Sequence, residues 1–299
     1  MSAFERSLCG AILAVTAAVQ PGPANAQDRQ DLQVTRHIGE SITRRLTQAA
    51  LADAEGRKLE ELANAWVTPS YTTIDFNGSD SSVNIDIYQF VGGIDKRFGS
   101  FYAGASAGYA RTEEEIEEDF LEFDSGTDSP SFAPYAAWII NDNVFVTEIA
   151  GYAREEFDDI ELATDTAFND LSVTGLLPLN HWVLTGRAGH RFAYTKQVDV
   201  TSPFDEVFFS PFDDDFFTNT LYVTGEVGYR IDHLLPYFRA IYERIIPEEG
   251  DGRHVVFLGV GATYDFSDAF SAGLSYQTEL DQLDIFTSHQ AVLEVRFRF

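Results

Sequence analysis

The sequence predicts an all-β protein, a 12-stranded antiparallel transmembrane β-barrel with a short N-terminal helix. Apolar and polar residues alternate with period 2 from Asn64 to the end of the chain, which is the pattern of a β-strand. The alternating runs are even in number, and the gaps between them are short and long in turn. Short turns at one end and long loops at the other are typical of outer-membrane barrels.

The twelve predicted strands follow one another in a regular order. They lie near 64–76, 85–96, 100–112, 131–140, 144–155, 167–177, 182–195, 217–230, 234–245, 254–266, 268–279 and 288–299. Arg97-Phe98-Gly99 and Asn141-Asp142-Asn143 are two of the short gaps, whereas Glu113–Pro130 and Lys196–Phe216 are two of the long polar ones. Pro134 and Glu148 interrupt the fourth and fifth runs, so the pattern does not assign the faces of these two strands.

The composition excludes several classes of protein. The 299 residues include 48 acidic and 20 basic ones, for a net charge of −28. Since affinity for phosphate backbones comes from Lys and Arg, nucleic acid is not an expected partner. The single cysteine, Cys9, excludes a disulfide framework and a thiolate metal site. Hydrophobic residues make up 44% of the chain, too many for an acidic disordered tail.

Residues 1–26 have the pattern of a cleaved signal peptide. Arg6 precedes the apolar run Ala11–Val19, and Ala24-Asn25-Ala26 is a small-residue cleavage site. Export through a signal peptide cleaved after Ala26 is therefore expected.

Residues 27–63 form the second predicted segment, with a helix over Asp31–Ala63. Ile38, Ile42, Leu46 and Ala50 recur at i, i+4 and so share one face of that helix. Two placements remain open, in the periplasm or in the lumen of the barrel. A twelve-stranded barrel has about enough room for one helix of 10–12 Å diameter.

Residues 64–299 form the predicted barrel, and alternation assigns the faces of most strands. Apolar side chains face lipid and polar ones face the lumen in such a barrel. Aromatic residues near strand ends suit the two interfacial girdles, and these are Trp66, Tyr109, Trp182, Tyr229, Tyr264 and Phe299. The predicted lumen-facing charges are Arg187, Arg191, Glu226, Arg230, Arg239, Glu243, Asp265, Glu294, Arg296 and Arg298. Opposed charges there can form a selectivity lining or salt bridges that hold a plug.

Two stretches resemble known outer-membrane sequences. The last strand, with Leu293, Val295, Phe297 and Phe299 on one face, is similar to the C-terminal assembly signal of bacterial outer-membrane proteins. Gly92-Gly-Ile-Asp-Lys-Arg-Phe-Gly99 followed by Gly104-Ala-Ser-Ala-Gly-Tyr-Ala-Arg111 resembles the second and third strands of the autotransporter β-domain family. The resemblance covers about 64–299. The resemblance implies that the protein is located in the cell outer membrane. Its implied partners are outer-membrane lipid, lipopolysaccharide and the barrel assembly machinery.

The chain departs from that family ahead of its barrel. Only 37 residues separate Ala26 from Asn64, which is too few for a β-helical passenger. The Asn-Asn dipeptide at which some members release a passenger is also absent from the sequence. The expected function is therefore a passive pore or a translocator-like barrel without a passenger. The alternative is a surface-exposed structural or adhesive protein that uses its long loops.

Neither the histidines nor the acidic loop predicts an enzyme, a cofactor site or a metal site. None of the six histidines has metal-ligand spacing with another, and no nucleophile motif accompanies them. Glu113–Asp128 contains nine carboxylates, but no calcium-loop pattern, so a solvated face is favoured over cation binding. Lys196–Phe216 contains several phenylalanines, which can form either a binding surface for an unknown ligand or a loop that packs over the barrel mouth. The second interpretation is favoured.

Overall fold

The computed structural model describes residues 23–54, 63–77, 81–118, 121–158, 163–198, 215–247, 252–280 and 286–299. The described elements are α1 (Pro23–Ala54), β1 (Ala63–Asn77), β2 (Ser81–Phe98), β3 (Phe101–Glu118), β4 (Leu121–Asn141), β5 (Val144–Phe157), β6 (Ala163–Leu179), β7 (Trp182–Val198), β8 (Phe216–Tyr229), β9 (Leu234–Pro247), β10 (Arg253–Ser267), β11 (Phe270–Leu280) and β12 (Phe286–Arg298). The chain divides into two compact units, Met1–His37 and Ile38–Phe299. The described part of the first unit is helical.

The twelve strands form one closed barrel. Each strand pairs antiparallel with the next along the chain, and β1 pairs with β12 to complete the ring. Closure leaves no unpaired sheet edge, so the backbone hydrogen bonds are satisfied from strand to strand. The predicted fold class, a 12-stranded antiparallel barrel with one helix, is confirmed.

Tight turns join the strands at one end of the barrel, which we call the short-turn end. Three residues in these turns have positive φ: Gly99 at 63°, Asn180 at 55° and Asp232 at 52°. Glycine adopts that conformation without steric cost, and Asn and Asp tolerate it better than most residues. The opposite end, where residues 78–80 and 199–214 connect strands, is called the loop end.

Several strands run further toward the loop end than the sequence predicted. The largest difference is at β3 and β4, which remain paired as far as Glu118 opposite Leu121. Most of the predicted acidic loop Glu113–Asp128 is therefore β-hairpin, and its prediction as a loop was wrong. Acidic side chains are compatible with a paired hairpin because the strand ladder satisfies the backbone. Most of the Phe-rich segment, residues 199–214, lies outside the described residues.

The outer face of the barrel carries the large apolar side chains. Five of the six residues assigned to interfacial girdles are exposed there, namely Tyr109, Trp182, Tyr229, Tyr264 and Phe299. Trp66 is the exception, because it is buried on the inward face and its indole Nε1 donates to the Tyr135 hydroxyl at 3.0 Å. Its assignment to a girdle was wrong. Pro134 and Glu148 are both exposed and share the outward alternation of their strands.

The described helix begins earlier than predicted, and the predicted last residue, Ala63, belongs to a strand. The helix spans Pro23–Ala54 and not Asp31–Ala63, and the strand that begins at Ala63 is β1. Residues 1–22 and 55–62 lie outside the described residues, so the predicted signal peptide is described only at its last four positions. No described helix is long and apolar enough to cross a membrane.

Candidate functional site: the charged lumen and its helix

The ten predicted lumen charges all follow the inward alternation of their strands. Six of them are buried, namely Arg187, Arg191, Glu243, Glu294, Arg296 and Arg298. The other four are half-buried, namely Glu226, Arg230, Arg239 and Asp265. Buried charges are costly unless they are paired, so their partners decide what this lining does.

Asp170 on β6 is the centre of the largest described charge cluster. Its carboxylate accepts hydrogen bonds from Arg187 Nη2 at 3.0 Å, from Arg191 Nε at 3.3 Å and from the Tyr222 hydroxyl at 2.6 Å. Arg191 also lies 3.9 Å from Glu243. Both guanidinium groups lie over the Tyr222 ring, 4.7 and 5.4 Å from its centroid. This cluster joins β6, β7, β8 and β9 through the lumen.

The remaining predicted charges make smaller contacts. Arg239 Nε donates to Glu226 at 3.2 Å, and Arg230 lies 3.7 Å from Asp265. Arg296 donates to the Ser271 hydroxyl through both Nε and Nη2, at 2.9 and 2.6 Å. The charged lining is therefore satisfied by short-range contacts between strands that are adjacent or next but one in the ring.

The helical segment Ile38–Ala52 contacts this lining and is shielded on all sides. None of its residues is exposed, including polar ones such as Thr43 and Arg45. An amphipathic helix on a protein surface leaves its polar face in water. Burial around the whole circumference therefore indicates that side chains of the barrel enclose this segment.

Arg45 anchors the segment to one side of the barrel. Its Nη2 donates to Asp95 Oδ1 on β2 at 2.8 Å, and both side chains are almost fully buried. Asp95 also accepts from Asn64 and Tyr135, each at 3.0 Å. Tyr135 in turn accepts from Trp66, so four strand side chains are organised around one arginine of the helix.

Two further side chains, on an adjoining face of the helix, also contact the barrel. Arg44 donates to the Tyr237 hydroxyl and, at 3.1 Å, to Ser275, and it lies 3.9 Å from Glu294. Gln48 donates to Glu294 at 3.3 Å.

Glu40 adds a further contact, at 3.6 Å from Arg239 on β9. In the closed ring β9 lies five strands from β2, which is nearly diametrically opposite. The segment is therefore held from both sides of the barrel.

Sequence reasoning missed Asp95, Asp170, Tyr135 and Tyr222 as members of this site. All four are buried and face inward. Asp95 lies inside the glycine-rich motif Gly92–Gly99, where alternation places it on the same side as Gly93. The inward parity of the strand at 167–177 could have identified Asp170 in the same way.

Inward-facing aromatic rings lie over glycines of the neighbouring strand. Five such pairs are described, Trp66 with Gly93, Tyr135 with Gly104, Phe168 with Gly151, Tyr222 with Gly189 and Tyr237 with Gly261. A side chain at any of these glycines would displace the ring. The rings include those that hold Asp95, Asp170 and Arg44, so the glycines position the charged lining.

We expect Gly104→Ala to destabilise the barrel by about 1–3 kcal/mol, the usual cost of overpacking a close contact. A Cβ at Gly104 would lie 2.5 Å from Tyr135 Cζ and 2.6 Å from the carbonyl oxygen of Ile94, which cannot move aside. The urea midpoint of the refolded protein measures the effect. Gly225→Ala is the control because a Cβ there meets nothing within 4 Å, and an equal shift in both variants would contradict the close-contact argument.

The predicted assembly-signal residues lie on the outward face of β12. Leu293, Phe297 and Phe299 are exposed and Val295 is half-exposed. Phe299 also closes the ring, since its backbone N–H and carbonyl exchange hydrogen bonds with Ala63, both at 3.0 Å.

Deletion of Phe299 is expected to lower the amount of folded barrel in the outer membrane several-fold. The deletion removes the last backbone pair of the β1–β12 seam together with a large exposed apolar side chain. Heat-dependent gel mobility of membrane fractions measures folded protein. Phe299→Leu keeps the backbone pair and is the control; normal levels of the deleted chain would contradict a role in assembly.

Among the described residues, no group of three or more His, Cys, Asp or Glu is arranged to hold a metal ion. His181 and His233 lie in short turns, and His190, His254 and His289 share the outward alternation of their strands.

Comparison with known proteins shows what this barrel is similar to. Residues 65–204 match the model of the autotransporter beta-domain. The chain is similar in structure to the beta domain of the Bordetella autotransporter BrkA, with a TM-score of 0.67 and 14% identity, over 80% of this chain and all of the other. It is also similar to the translocator domain of NalP from Neisseria meningitidis, with a TM-score of 0.57 and 16% identity, over 85% and 98% of the two chains.

A third similar structure is the transport unit of AIDA-I from Escherichia coli, with a TM-score of 0.55 and 10% identity, over 80% of this chain and 90% of the other. No curated protein matches the chain. The autotransporter barrels that this chain resembles are outer-membrane proteins. The match to the family model over residues 65–204, the closed ring of twelve strands and the similar solved structures agree that this barrel has the fold of an autotransporter β-domain.

Proposed function

We propose that this chain is a translocator-type outer-membrane pore, without a passenger, that its own N-terminal helix closes. The observation that carries the proposal is the anchoring of one helical segment to nearly opposite strands, through Arg45–Asp95 on β2 and Glu40–Arg239 on β9. A helix with its side chains is about 10–12 Å across. A barrel of twelve strands lies between the eight-stranded barrels that their own side chains fill and the sixteen-stranded ones that leave a channel.

The charge pattern supports a pore that is closed at rest rather than an open pore whose lining selects ions. A lining that selects ions presents its charges to water, whereas Asp170 and Arg191 here are buried and bonded to each other. The proposal includes no covalent step. It includes export through a signal peptide cleaved after Ala26, insertion by the barrel assembly machinery and residence among outer-membrane lipid and lipopolysaccharide.

The permeability of cells tests this proposal. We expect cells that produce a variant lacking residues 38–54 to become sensitive to large polar antibiotics that the outer membrane normally excludes. Cells that produce the full chain at the same level should remain resistant. Equal sensitivity of both strains, with both barrels folded, would contradict closure by the helix.

One observation favours a second candidate, a structural role at the cell surface. The β3–β4 hairpin continues as a paired, acidic ribbon to Glu118 and Leu121 at the loop end. Shortening this ribbon while the pore stays closed tests that role: loss of surface binding or of envelope integrity would support it.

A further inference from the structure

Each of the six hairpins that close at the loop end carries the same outward-facing contact. In each hairpin, a tyrosine on the first strand is hydrogen-bonded to an aspartate or a histidine on the second strand. In one hairpin the aspartate, Asp215, lies one residue before the second strand begins. The six pairs are Tyr71–Asp86, Tyr109–Asp128, Tyr152–Asp165, Tyr194–Asp215, Tyr242–His254 and Tyr276–His289. All six tyrosines are exposed on the outer face of the barrel. Tyrosine has an apolar body and a polar tip, so this ring is suited to the boundary between lipid and water.

Four of the six tyrosines are followed two positions later by a cation on the same outward face. These cations are Arg111, Arg154, Lys196 and Arg244. They lie one step beyond the tyrosine ring toward the loop end.

Carboxylates neutralise Arg111 and Arg154. Arg111 contacts Asp128 at 3.1 Å and Asp158 at 2.6 Å, and Arg154 contacts Glu156 at 2.9 Å. These two guanidinium groups are therefore engaged within the protein.

The hairpin of β9 and β10 differs from the others. Arg244 is exposed and lies directly opposite His254, which occupies the place that aspartate takes in the first four hairpins. Arg244 makes no ion pair with any residue that the structure describes. The outward positions of β9, β10, β11 and β12 in their described ranges carry neither Asp nor Glu, although the chain has 48 of these residues.

We propose that Arg244 and His254, beside Tyr242, bind a phosphate group of a lipid headgroup in the outer leaflet. Arg244 carries a positive charge with no described carboxylate beside it, and a phosphate between the two side chains supplies the missing countercharge. A guanidinium matches two phosphate oxygens, and the imidazole of His254 adds a ring N–H that can donate to a third. The proposal rests on the proposed membrane location, since that location brings headgroups to the level of the tyrosine ring.

Retention of lipid by the purified mature protein in neutral detergent tests the site. The probes are lipid A with its phosphates and the same lipid with its phosphates removed, and native mass spectrometry counts the bound molecules. We expect the double variant Arg244→Gln, His254→Gln to retain at least about tenfold less phosphorylated lipid, since tenfold corresponds to the loss of one charge-assisted hydrogen bond and this variant removes more than one. Binding of the dephosphorylated lipid should not change.

Arg154→Gln is the matched control because Arg154 also follows a ring tyrosine by two positions on the outward face but is paired with a carboxylate. It should retain lipid as the native protein does. Equal losses in the control and the double variant, or no loss in either, would overturn the proposal. Displacement of the lipid by inorganic phosphate at comparable concentration would also overturn it, because the site would then bind a free anion.

Heat-dependent gel mobility confirms that each variant is folded before lipid is added. The assay in detergent does not depend on whether the helix closes the pore. Its failure is thus distinguishable from failure of the proposed function, which is measured in cells and in bilayers.

Discussion

Replacement of Asp95 by asparagine is expected to release the helix from one wall of the barrel and to produce frequent channel openings. Arg45 would keep its full charge at a buried position and lose its only described carboxylate partner, which is 2.8 Å away in the native protein. Removal of one partner from a buried ion pair typically costs about 3–5 kcal/mol. Single-channel recordings of the refolded protein measure the open fraction, which should rise at least tenfold.

Asp86→Asn is the control for this variant, because Asp86 lies on the same strand but faces outward, where it accepts from Tyr71. It should leave the current unchanged. The double variant Arg45→Met, Asp95→Leu removes both charges together and should be quieter than Asp95→Asn. A closed channel in Asp95→Asn would show that the Arg45–Asp95 pair does not hold the helix.

Replacement of Asp170 by asparagine is expected to give the largest loss of barrel stability. Arg187 and Arg191 both depend on this carboxylate, and Tyr222 donates to it as well. Among the described residues, Arg187 would then have no carboxylate partner and Arg191 would keep only Glu243 at 3.9 Å. We therefore expect the free energy of unfolding to fall by about 3–5 kcal/mol. The urea midpoint of the refolded protein reports this loss.

Asp165→Asn is the matched control, since Asp165 lies on the same strand and faces outward. Its contacts with Tyr152 and Arg154 are exposed, and exposed ion pairs contribute at most about 1 kcal/mol. Similar midpoints for the two variants would contradict a structural role of the Asp170 cluster.

Period-2 alternation was sufficient to predict the fold class and the number of strands, and it also predicts a face for each charged residue. This property is local, since each side chain's face depends only on its position along its own strand. Arg187 and Glu294 could therefore be placed in the lumen without knowledge of any partner. The helix stripe Ile38, Ile42 and Leu46 was visible for the same reason, and these residues are all buried.

Partners across the lumen could not be predicted, because they depend on strand register and on where the helix lies. Nothing near Asp95 in the sequence identifies Arg45 as its partner. Trp66 was misassigned because a tryptophan near the end of a strand is compatible with either face. The predicted β3–β4 hairpin was shorter than the observed one, because its acidic composition is typical of loops although paired strands tolerate it.

Conductance in planar bilayers tests most directly whether the helix closes the barrel. The mature chain from Gln27 is compared with the same chain lacking residues 27–54, both refolded and checked for closed-barrel mobility. If the helix closes the barrel, the mature chain should show no current apart from occasional openings, and the chain that lacks residues 27–54 should show a steady current. Steady current in both would contradict closure by the helix, and silence in both would show that something other than the helix blocks the lumen.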